Sequence, residues 1–159
     1  VNLSPLQFAS PALLDSVREA LQRHRIEPAR LTLEITETTA MKDVDASLAI
    51  LNDLTAMGVH IAIDDFGTGY SSLLYLKRMP ATELKIDRAF VHDLECNAED
   101  AAIVSSIIAL GRTLQLQVVA EGVETQAQRE YLSALGCDQL QGYHLGRPME
   151  AEEFLRRVG

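Results

Sequence analysis

The feature that most constrains the fold is a regular alternation of apolar, strand-like segments with segments of helical spacing. The strand-like segments are short and mostly uninterrupted by polar residues, which is typical of strands buried on both faces of a parallel sheet. Helical segments between them can serve as the crossovers that parallel strands need. We therefore predict an α/β fold with about six βα units. The predicted strands are VNL (1–3), LTLEIT (31–36), VHIAID (59–64), ELKID (83–87), LQVVAEG (116–122) and DQLQGY (138–143).

Several of the helical segments have recognisable ends. Ser10 and Pro11 predict an N-cap and a first-turn proline for a helix that runs to about Arg25. Gly58 and Gly136 predict the C-terminal ends of two further helices. The predicted helices after the first are 44–57, 71–79, 98–114, 125–136 and 151–158.

Polar side chains at the end of every predicted strand help to choose between two parallel-sheet architectures. In an open doubly wound sheet, polar groups concentrate near the point where the strand order reverses. In a (β/α) barrel, the carboxyl ends of all strands meet at one mouth, where active sites lie. Each predicted strand here ends in an ionisable or amide side chain, which favours a TIM-like barrel. These residues are Asn2, Glu34, Asp64 with Asp65, Lys85 with Asp87, Glu121 and Gln141.

The length of the chain bounds the extent of that barrel. A complete TIM barrel has eight strands and about 250 residues, whereas this chain has 159 residues. No linker-like segment divides the pattern, so we predict a single domain over 1–159, N-terminally truncated to about six βα units. Because six strands cannot close an eight-strand barrel, we expect open sheet edges and association between copies of the isolated chain.

Charge and composition argue against several classes of partner. The formal net charge is −9 and there is no basic run, which disfavours a nucleic-acid duplex or an anionic membrane as the main partner. No apolar segment approaches the ~20 residues needed to cross a bilayer. Cys96 and Cys137 lack the spacing of metal ligands, and we interpret them as reduced thiols. These observations favour a cytoplasmic location, with any membrane tether supplied by upstream segments of a longer parent.

The carboxylates at the predicted barrel mouth indicate a site for divalent cations. Five of them cannot all be ionised and unpaired, and Lys85 alone does not balance their charge. Mg²⁺ and Mn²⁺ prefer carboxylate, amide and water oxygens as ligands. Adjacent Asp64 and Asp65 suit two such ions, with Asp64 bridging them and Asp65 binding one. The five carboxylates are Glu34, Asp64, Asp65, Asp87 and Glu121.

A two-ion site predicts hydrolysis of a phosphodiester. Two ions clamp the phosphate and lower the pKa of a bound water, which becomes the nucleophile. Lys85 can steady this water or the developing charge, and Glu121 can accept its proton. Plainer interpretations stay open, because a single strand-end acid is often a helix N-cap and Lys85 can be a buried counter-ion. Gly67 and Gly69 lack the spacing of a phosphate-binding loop.

Taken together, the motifs resemble those of a known family, the EAL-domain cyclic-di-GMP phosphodiesterases. The resemblance implies a modified TIM barrel that hydrolyses cyclic di-GMP to linear pGpG, using two Mg²⁺ or Mn²⁺ ions. We expect Ca²⁺ to inhibit this reaction, because the larger ion relaxes the geometry of the clamp. The similar motifs, in the family's order, are VNLSPLQF, LTLEITET, AIDDFGTGYSSLLYLKRMPATELKIDRAFV, VVAEGVET and QGYHLGRPM.

The resemblance also implies roles for individual residues. Lys85 and Asp87 match a lysine and an aspartate that support the catalytic water and metal, and Glu121 matches a residue often described as the base. Glu124 and Gln141 match residues near the substrate. The residues that match metal-site positions are Asn2, Glu34, Asp64, Asp65 and Glu121.

Other implications concern the loop DDFGTG and the partners. Glu37 matches a glutamate that holds this loop, which contains Gly67 and Gly69. The family forms homodimers around this loop and the long helix after it, here 98–114, and sensor or GGDEF domains commonly precede its EAL domain. The glutamate of the name-giving Glu-Ala-Leu motif, a metal ligand, has no counterpart in this chain and would lie upstream of Val1.

Two functions from different classes compete on this sequence. One is a metal-dependent phosphodiesterase, and the other is a catalytically inactive EAL domain that acts as a cyclic-di-GMP receptor or as a dimerisation or regulatory module. An unrelated metal-using barrel is a third interpretation, which five motifs in order disfavour. Degenerate receptors usually lose acids of the metal site, and this chain keeps every acid that its length allows. This retention favours an enzyme.

Overall fold

The strands form one parallel sheet whose spatial order is the order of the sequence. The computed structural model describes residues 1–69 and 73–158. Within these residues the sheet has five strands in the order β1-β2-β3-β4-β5, and every neighbouring pair is parallel. Their bounds are β1 Thr32–Thr36, β2 His60–Phe66, β3 Glu83–Ile86, β4 Gln117–Ala120 and β5 Gln139–Leu140.

The predicted first strand is present as a short extended segment beside β1. Asn2 and Glu34 form a single parallel bridge, with hydrogen bonds from Leu3 N to Glu34 O and from Glu34 N to Val1 O, both 2.8 Å. The α/β prediction is therefore confirmed. A purely parallel sheet in sequence order is what a TIM-type barrel has, whereas a doubly wound sheet reverses its strand order.

Helices connect successive strands and cover the sheet. The long crossover helices agree with the predicted ones to within a few residues. The helices of the described residues are α1 Pro5–Phe8, α2 Leu13–His24, α3 Glu37–Lys42, α4 Val44–Ala56, α5 Leu73–Leu76, α6 Arg88–His92, α7 Ala98–Leu114, α8 Gln126–Leu135 and α9 Ala151–Val158, with a 3₁₀ turn at Pro28–Arg30. The predicted helix start at Ser71 and Ser72 lies outside the described residues.

The prediction that Ser10 caps α2 is wrong. The helix begins at Leu13, and its N-cap Ala12 makes no side-chain cap bond. Ser10 Oγ instead accepts a hydrogen bond from Ala12 N at 3.3 Å, because Ser10 and Pro11 form the turn between α1 and α2. Helix α2 ends at His24, and Arg25 after it adopts the left-handed conformation (φ 52°), so the predicted end at about Arg25 is confirmed.

Three short helices, α1, α3 and α6, were not predicted. Each begins at or just after a strand end and is only four to six residues long, too short for a helical period to show. Each is fixed by its N-cap: Ser4 accepts from Gln7 N, Thr36 from Thr39 N, and Asp87 from Ala89 N. These caps hold the first residues after the strands in place, where the candidate site lies.

One crossover helix packs closely on the sheet. Helix α7 buries Val104, Ile107 and Ile108, and Gly111 lies where a Cβ atom would overlap Val118 Cγ2 of β4. The final helix α9 differs, since none of its residues is buried and Phe154 is half exposed. None of the helices within the described residues is long and apolar enough to cross a membrane.

We expect Gly111→Ala to destabilise the domain although alanine favours helices. The added methyl group collides with a β-branched side chain that is stiff at χ1, and overpacking of this kind costs about 1–3 kcal/mol. Urea unfolding measures the change. Adding Val118→Ala to Gly111→Ala should recover part of the lost free energy of unfolding, and simple additivity of the two substitutions would contradict this account.

Candidate metal centre

A buried lysine lies at the centre of the strand ends. Lys85 of β3 is 5% exposed and its Nζ lies 2.8 Å from Glu34 Oε2, 3.3 Å from Asp64 Oδ1 and 2.6 Å from Glu121 Oε1. These acids come from β1, from β2 and from the residue directly after β4. The sheet register produces this convergence, because parallel neighbouring strands end at the same level.

The pKa of Lys85 is raised despite its burial. Burial by itself works to lower the pKa of the ammonium group, but hydrogen bonds to Glu121 and Glu34, and the charges of Glu121 and Asp64, outweigh it. Lys85 is therefore positively charged at neutral pH. Its contacts are those of a fixed cation within this cluster.

Asp65 shows how two consecutive acids reach one site. In a regular strand, neighbouring side chains point to opposite faces, but the β2–β3 register shifts between Ile63 and Phe66, and Asp65 has φ 53°. This left-handed conformation is uncommon for a residue other than glycine and brings the Asp65 carboxyl close to that of Asp87. Burial, the charge of Asp64 and the hydrogen bond to Asp87 together raise the pKa of the Asp65 carboxyl.

The donor set fits divalent cations that prefer oxygen. Asp64, Asp65 and Glu121 each offer one carboxylate oxygen, and these three oxygens lie within 4.8 Å of one another. Asp64 Oδ1 is buried and makes no hydrogen bond among the described residues, although Lys85 Nζ lies 3.3 Å away. A buried carboxylate oxygen that lacks a hydrogen bond is costly unless a cation binds it. The residues present therefore fit Mg²⁺ or Mn²⁺.

Asn2 lies next to Glu34 of β1 and Asp64 of β2. In the orientation that satisfies its hydrogen bonds, the amide nitrogen of Asn2 donates to Asp64 Oδ2 at 3.2 Å and to Glu34 Oε2 at 3.1 Å. Turning this amide over would present its oxygen to the same region. Three predicted metal ligands, Asn2, Glu34 and Asp64, are thus adjacent in the structure.

The glycine loop after β2 rests on a buried glutamate. Glu37 is 1% exposed, and its Oε2 accepts a hydrogen bond from Gly67 N at 2.9 Å. A Cβ atom on Gly69 would lie 2.7 Å from Glu37 Oε1, and Gly67 (φ 100°) packs against Phe90. A side chain at position 69 would crowd Glu37, and one at position 67 would crowd Phe90, so both positions favour glycine. The contacts are those expected of a loop-supporting Glu37; its role in function stays a prediction.

Not every predicted site residue joins the cluster. Asp87 lies beside Asp65 and also caps α6, so the N-cap interpretation and the site interpretation both apply to it. Glu124 is exposed, and its Oε2 lies 4.0 Å from His92 Nδ1. Gln141 is exposed too, and only its backbone is bonded, to Ala120 O and from Val123 N. The substrate roles of Glu124 and Gln141 remain predictions.

One polar residue near the cluster was missed. Gln128 is 2% exposed and forms a capping box with Thr125 at the start of α8. The spacing Thr-x-x-Gln is the sequence signal that could have identified it. The letters Glu19-Ala20-Leu21 also occur in the chain, but Glu19 is exposed on α2 and pairs with Arg23, away from this cluster.

The fold and the cluster define a class: a parallel barrel-type α/β domain with an oxygen-ligand site for divalent cations at its strand ends. The EAL domain family model matches residues 1–148. The chain therefore belongs to the EAL domain family.

Similar proteins include a relative that matches nearly the whole of this chain, and several solved structures. The chain is 67% identical over 158 residues to the bifunctional diguanylate cyclase/cyclic di-GMP phosphodiesterase MucR of Pseudomonas aeruginosa, covering 99% of this chain and 23% of MucR. It is 68% identical to the solved PaMucR phosphodiesterase in complex with c-di-GMP, with a TM-score of 0.95, covering 97% of this chain and 62% of that one. The chain thus spans less than a quarter of MucR.

A more distant solved structure contains a metal. The manganese/cy-diGMP complex of Klebsiella pneumoniae BlrP1 is 33% identical, with a TM-score of 0.85, covering 93% of this chain and 38% of that one. The fold is thus shared with EAL structures solved with cyclic di-GMP and, in this case, with manganese.

We expect Lys85→Met to destabilise the protein strongly when metal is removed by EDTA. The substitution leaves three clustered carboxylates without their cation, and removal of one partner from a buried ion network costs about 3 kcal/mol or more. Mn²⁺ should restore much of the lost free energy of unfolding. The exposed Lys77→Met is the matched control, and an equal effect in both variants would contradict the central role of Lys85.

Proposed function

We propose that this chain carries the metal centre of a phosphodiesterase that hydrolyses cyclic di-GMP to linear pGpG. The observation that carries the proposal is the group of carboxylate oxygens from Asp64, Asp65 and Glu121, which lie within 4.8 Å of one another beside a buried lysine. The similarity to MucR and to its c-di-GMP complex supports the choice of substrate.

The proposed metal ligands come from four strand ends. Two Mg²⁺ or Mn²⁺ ions, when bound, would neutralise the charge of the phosphate. They would also lower the pKa of a water molecule, so that the water loses a proton and attacks phosphorus as hydroxide. Asp64 lies between the two groups of ligands, next to Glu34 on one side and next to Asp65 on the other, which suits a bridging position. The residues that would hold the ions are Asn2, Glu34, Asp64, Asp65 and Glu121.

The remaining proposed roles are the acceptance of a proton by Glu121 and the supply of a positive charge by Lys85. Formation of pGpG breaks one P–O3′ ester bond: the attacking water gives its hydroxyl to phosphorus and loses a proton, and the released 3′-oxygen takes up a proton to become a hydroxyl. Glu121 Oε1 is held by Lys85 at 2.6 Å, so we assign proton acceptance to the other carboxylate oxygen of Glu121. Lys85 supplies a fixed positive charge, and Asp87 holds the Asp65 carboxyl in position.

Asp64→Asn in the full-length protein should abolish hydrolysis of cyclic di-GMP in Mn²⁺, by a factor of about 100 or more in kcat. The substitution removes a negative charge where both ligand groups meet while it conserves the side-chain shape. Release of pGpG, followed by chromatography, measures the effect. Asp53→Asn, at an exposed position on α4, is the control and should keep wild-type turnover.

The same assay separates the enzyme from the receptor. Wild-type protein that binds cyclic di-GMP but releases no pGpG in Mg²⁺ or Mn²⁺ would make this domain a receptor or a regulatory module. Ca²⁺ in place of Mn²⁺ should suppress turnover, because Ca²⁺ accepts more ligands at longer and looser distances. Equal rates in Ca²⁺ and Mn²⁺ would contradict the two-ion clamp.

We also propose a homodimer through the exposed apolar groove between the glycine loop and α7. The groove has a volume of about 450 Å³, and Ile103 and Leu73 are exposed beside it. A second copy of the chain can cover these apolar side chains and would thereby contact the loop that follows the metal cluster. The groove is lined by Gly67, Leu73, Ala102, Ile103, Ser106 and Leu110, among others.

Ile103→Glu should shift the full-length protein from dimer to monomer, because a charge in the groove cannot be desolvated without a partner. Light scattering across a concentration series measures the shift. Ala127→Glu places the same charge on an exposed position of α8 and should leave the dimer intact. A dimer that withstands Ile103→Glu would place the interface elsewhere.

The wider context is a proposal as well. We propose a single EAL-type domain over 1–159 that lacks its N-terminal part; the chain covers 62% of the solved PaMucR chain and 23% of MucR, so it matches a part of each. We propose that sensor or GGDEF segments precede it in a longer cytoplasmic signalling protein, whose missing EAL segment would supply the remaining metal ligand and close the barrel.

A further inference from the structure

The segment that carries Glu121 lies outside the regular sheet. Strand β4 ends at Ala120, and the segment 121–125 leads to α8 with Gly122 in a left-handed conformation (φ 71°). Glu121 N still donates to Ile86 O of β3 at 3.2 Å and its carboxylate binds Lys85, but the residues after Glu121 leave the strand ladder that holds Lys85 and Asp64. The question is which residue fixes this loop relative to β3 and α6.

Gln128 makes that connection through one buried carboxamide. Its Oε1 accepts hydrogen bonds from Glu124 N at 2.7 Å and from Thr125 N at 3.0 Å, both at the end of the Glu121 loop. Its Nε2 donates to His92 O at 3.1 Å, the last residue of α6. Gln128 is 2% exposed, so these bonds replace water that is excluded from the side chain.

The two elements that Gln128 joins belong to the metal cluster. Helix α6 starts from its cap Asp87, whose carboxyl lies close to that of Asp65, and it follows directly on the strand of Lys85. Gly122 packs so closely on this helix that a Cβ atom would lie 2.6 Å from Arg88 Cβ. Gln128 bonds the far end of both segments, and Gly122 lets their near ends touch.

The opposite side of the loop is held by backbone alone. Val123 N donates to Gln141 O at 3.0 Å, and His144 N donates to Val123 O at 3.0 Å. These bonds tie the loop to the segment after β5, and they need no particular side chain. The Lys85–Glu121 ion pair links the start of this loop to β3, and the buried carboxamide of Gln128 links its end to α6.

We propose that Gln128 is a positioning residue that sets the distance of Glu121 from Asp65 and thereby the affinity of this side of the cluster for metal. This inference rests on the proposed function, since it assigns Glu121 to the metal centre. The carboxamide is required because it accepts two bonds and donates one. A carboxylate keeps the acceptor and loses the donor, whereas a thioether of similar length keeps the packing and loses both.

The test compares Gln128→Met with Gln126→Met in the full-length protein. Gln126 is exposed on the same helix, where it bonds Glu130 and His144, so its substitution removes an amide of α8 that makes no direct bond to residues 121–125. We expect Gln128→Met to raise the Mn²⁺ dissociation constant, measured by calorimetry, by about ten-fold or more, the usual effect of losing an outer-sphere support. kcat should fall by a similar factor with KM within about two-fold.

Hydrogen exchange reports on the loop itself, with or without turnover. The amides of Glu124 and Thr125 should lose protection in Gln128→Met and keep it in Gln126→Met and in Gln128→Glu. The last variant retains the acceptor, and it serves as the second variant if Gln128→Met unfolds; it should still weaken Mn²⁺ binding because its contact with His92 O becomes repulsive.

The outcomes separate this inference from the proposed function. Wild-type Mn²⁺ affinity in both Gln128 variants, with the loop amides exposed to exchange, would overturn the positioning role. Leu132→Val, a core variant chosen for a matched melting temperature, is the control for stability. If this variant loses as much Mn²⁺ affinity as Gln128→Met, Gln128 acts only through the stability of the fold. Wild-type protein that binds Mn²⁺ but never hydrolyses cyclic di-GMP would refute the phosphodiesterase, while the metal affinities still decide the role of Gln128.

Discussion

The ion network of Lys85 is the interaction on which the rest of the site depends. One ammonium group on the third strand lies between carboxylates from the first, second and fourth strand ends, within 3.3 Å of each. Without a cation these acids repel one another, and the parallel register would force that repulsion on every folded molecule. Lys85 lets the metal-free domain fold, and it leaves an excess of negative charge that attracts divalent cations.

The second constraint is the break in β2. A regular strand would turn Asp65 away from Asp64, so the cluster exists only because the register shifts and Asp65 adopts a positive φ. A left-handed aspartate costs conformational energy, and such strain persists where surrounding contacts hold it. Here the contacts are the hydrogen bond from Thr68 Oγ1 to Asp65 O at 2.8 Å and the buried Glu37, which accepts a bond from the backbone of Gly67 two residues after Asp65.

These particulars explain what could be predicted from sequence. Apolar strands and their terminal acids follow from periodicity, so the parallel sheet and the convergence of Glu34, Asp64, Lys85 and Glu121 could be predicted without coordinates. The short helices could not, because four to six residues show no period, and Ser10 was assigned to the wrong helix start because α1 was not foreseen. Asp65 presents no sequence signal for its φ, since its conformation results from packing and not from residue type.

The cluster therefore has two sides of different origin. The side of Asn2, Glu34 and Asp64 is built on the hydrogen-bond ladders of β1 and β2, whose positions are shared by the whole sheet and change only if the sheet changes. Glu121 begins a loop: its backbone N still bonds Ile86 O of β3 at 3.2 Å and its carboxylate binds Lys85, but the rest of the loop is held by a few local bonds. A site divided in this way can keep one ion bound on the rigid side while small movements of the loop alter the other. In the proposed site, residues that support the loop, such as Gln128, would then tune metal occupancy without touching metal or substrate.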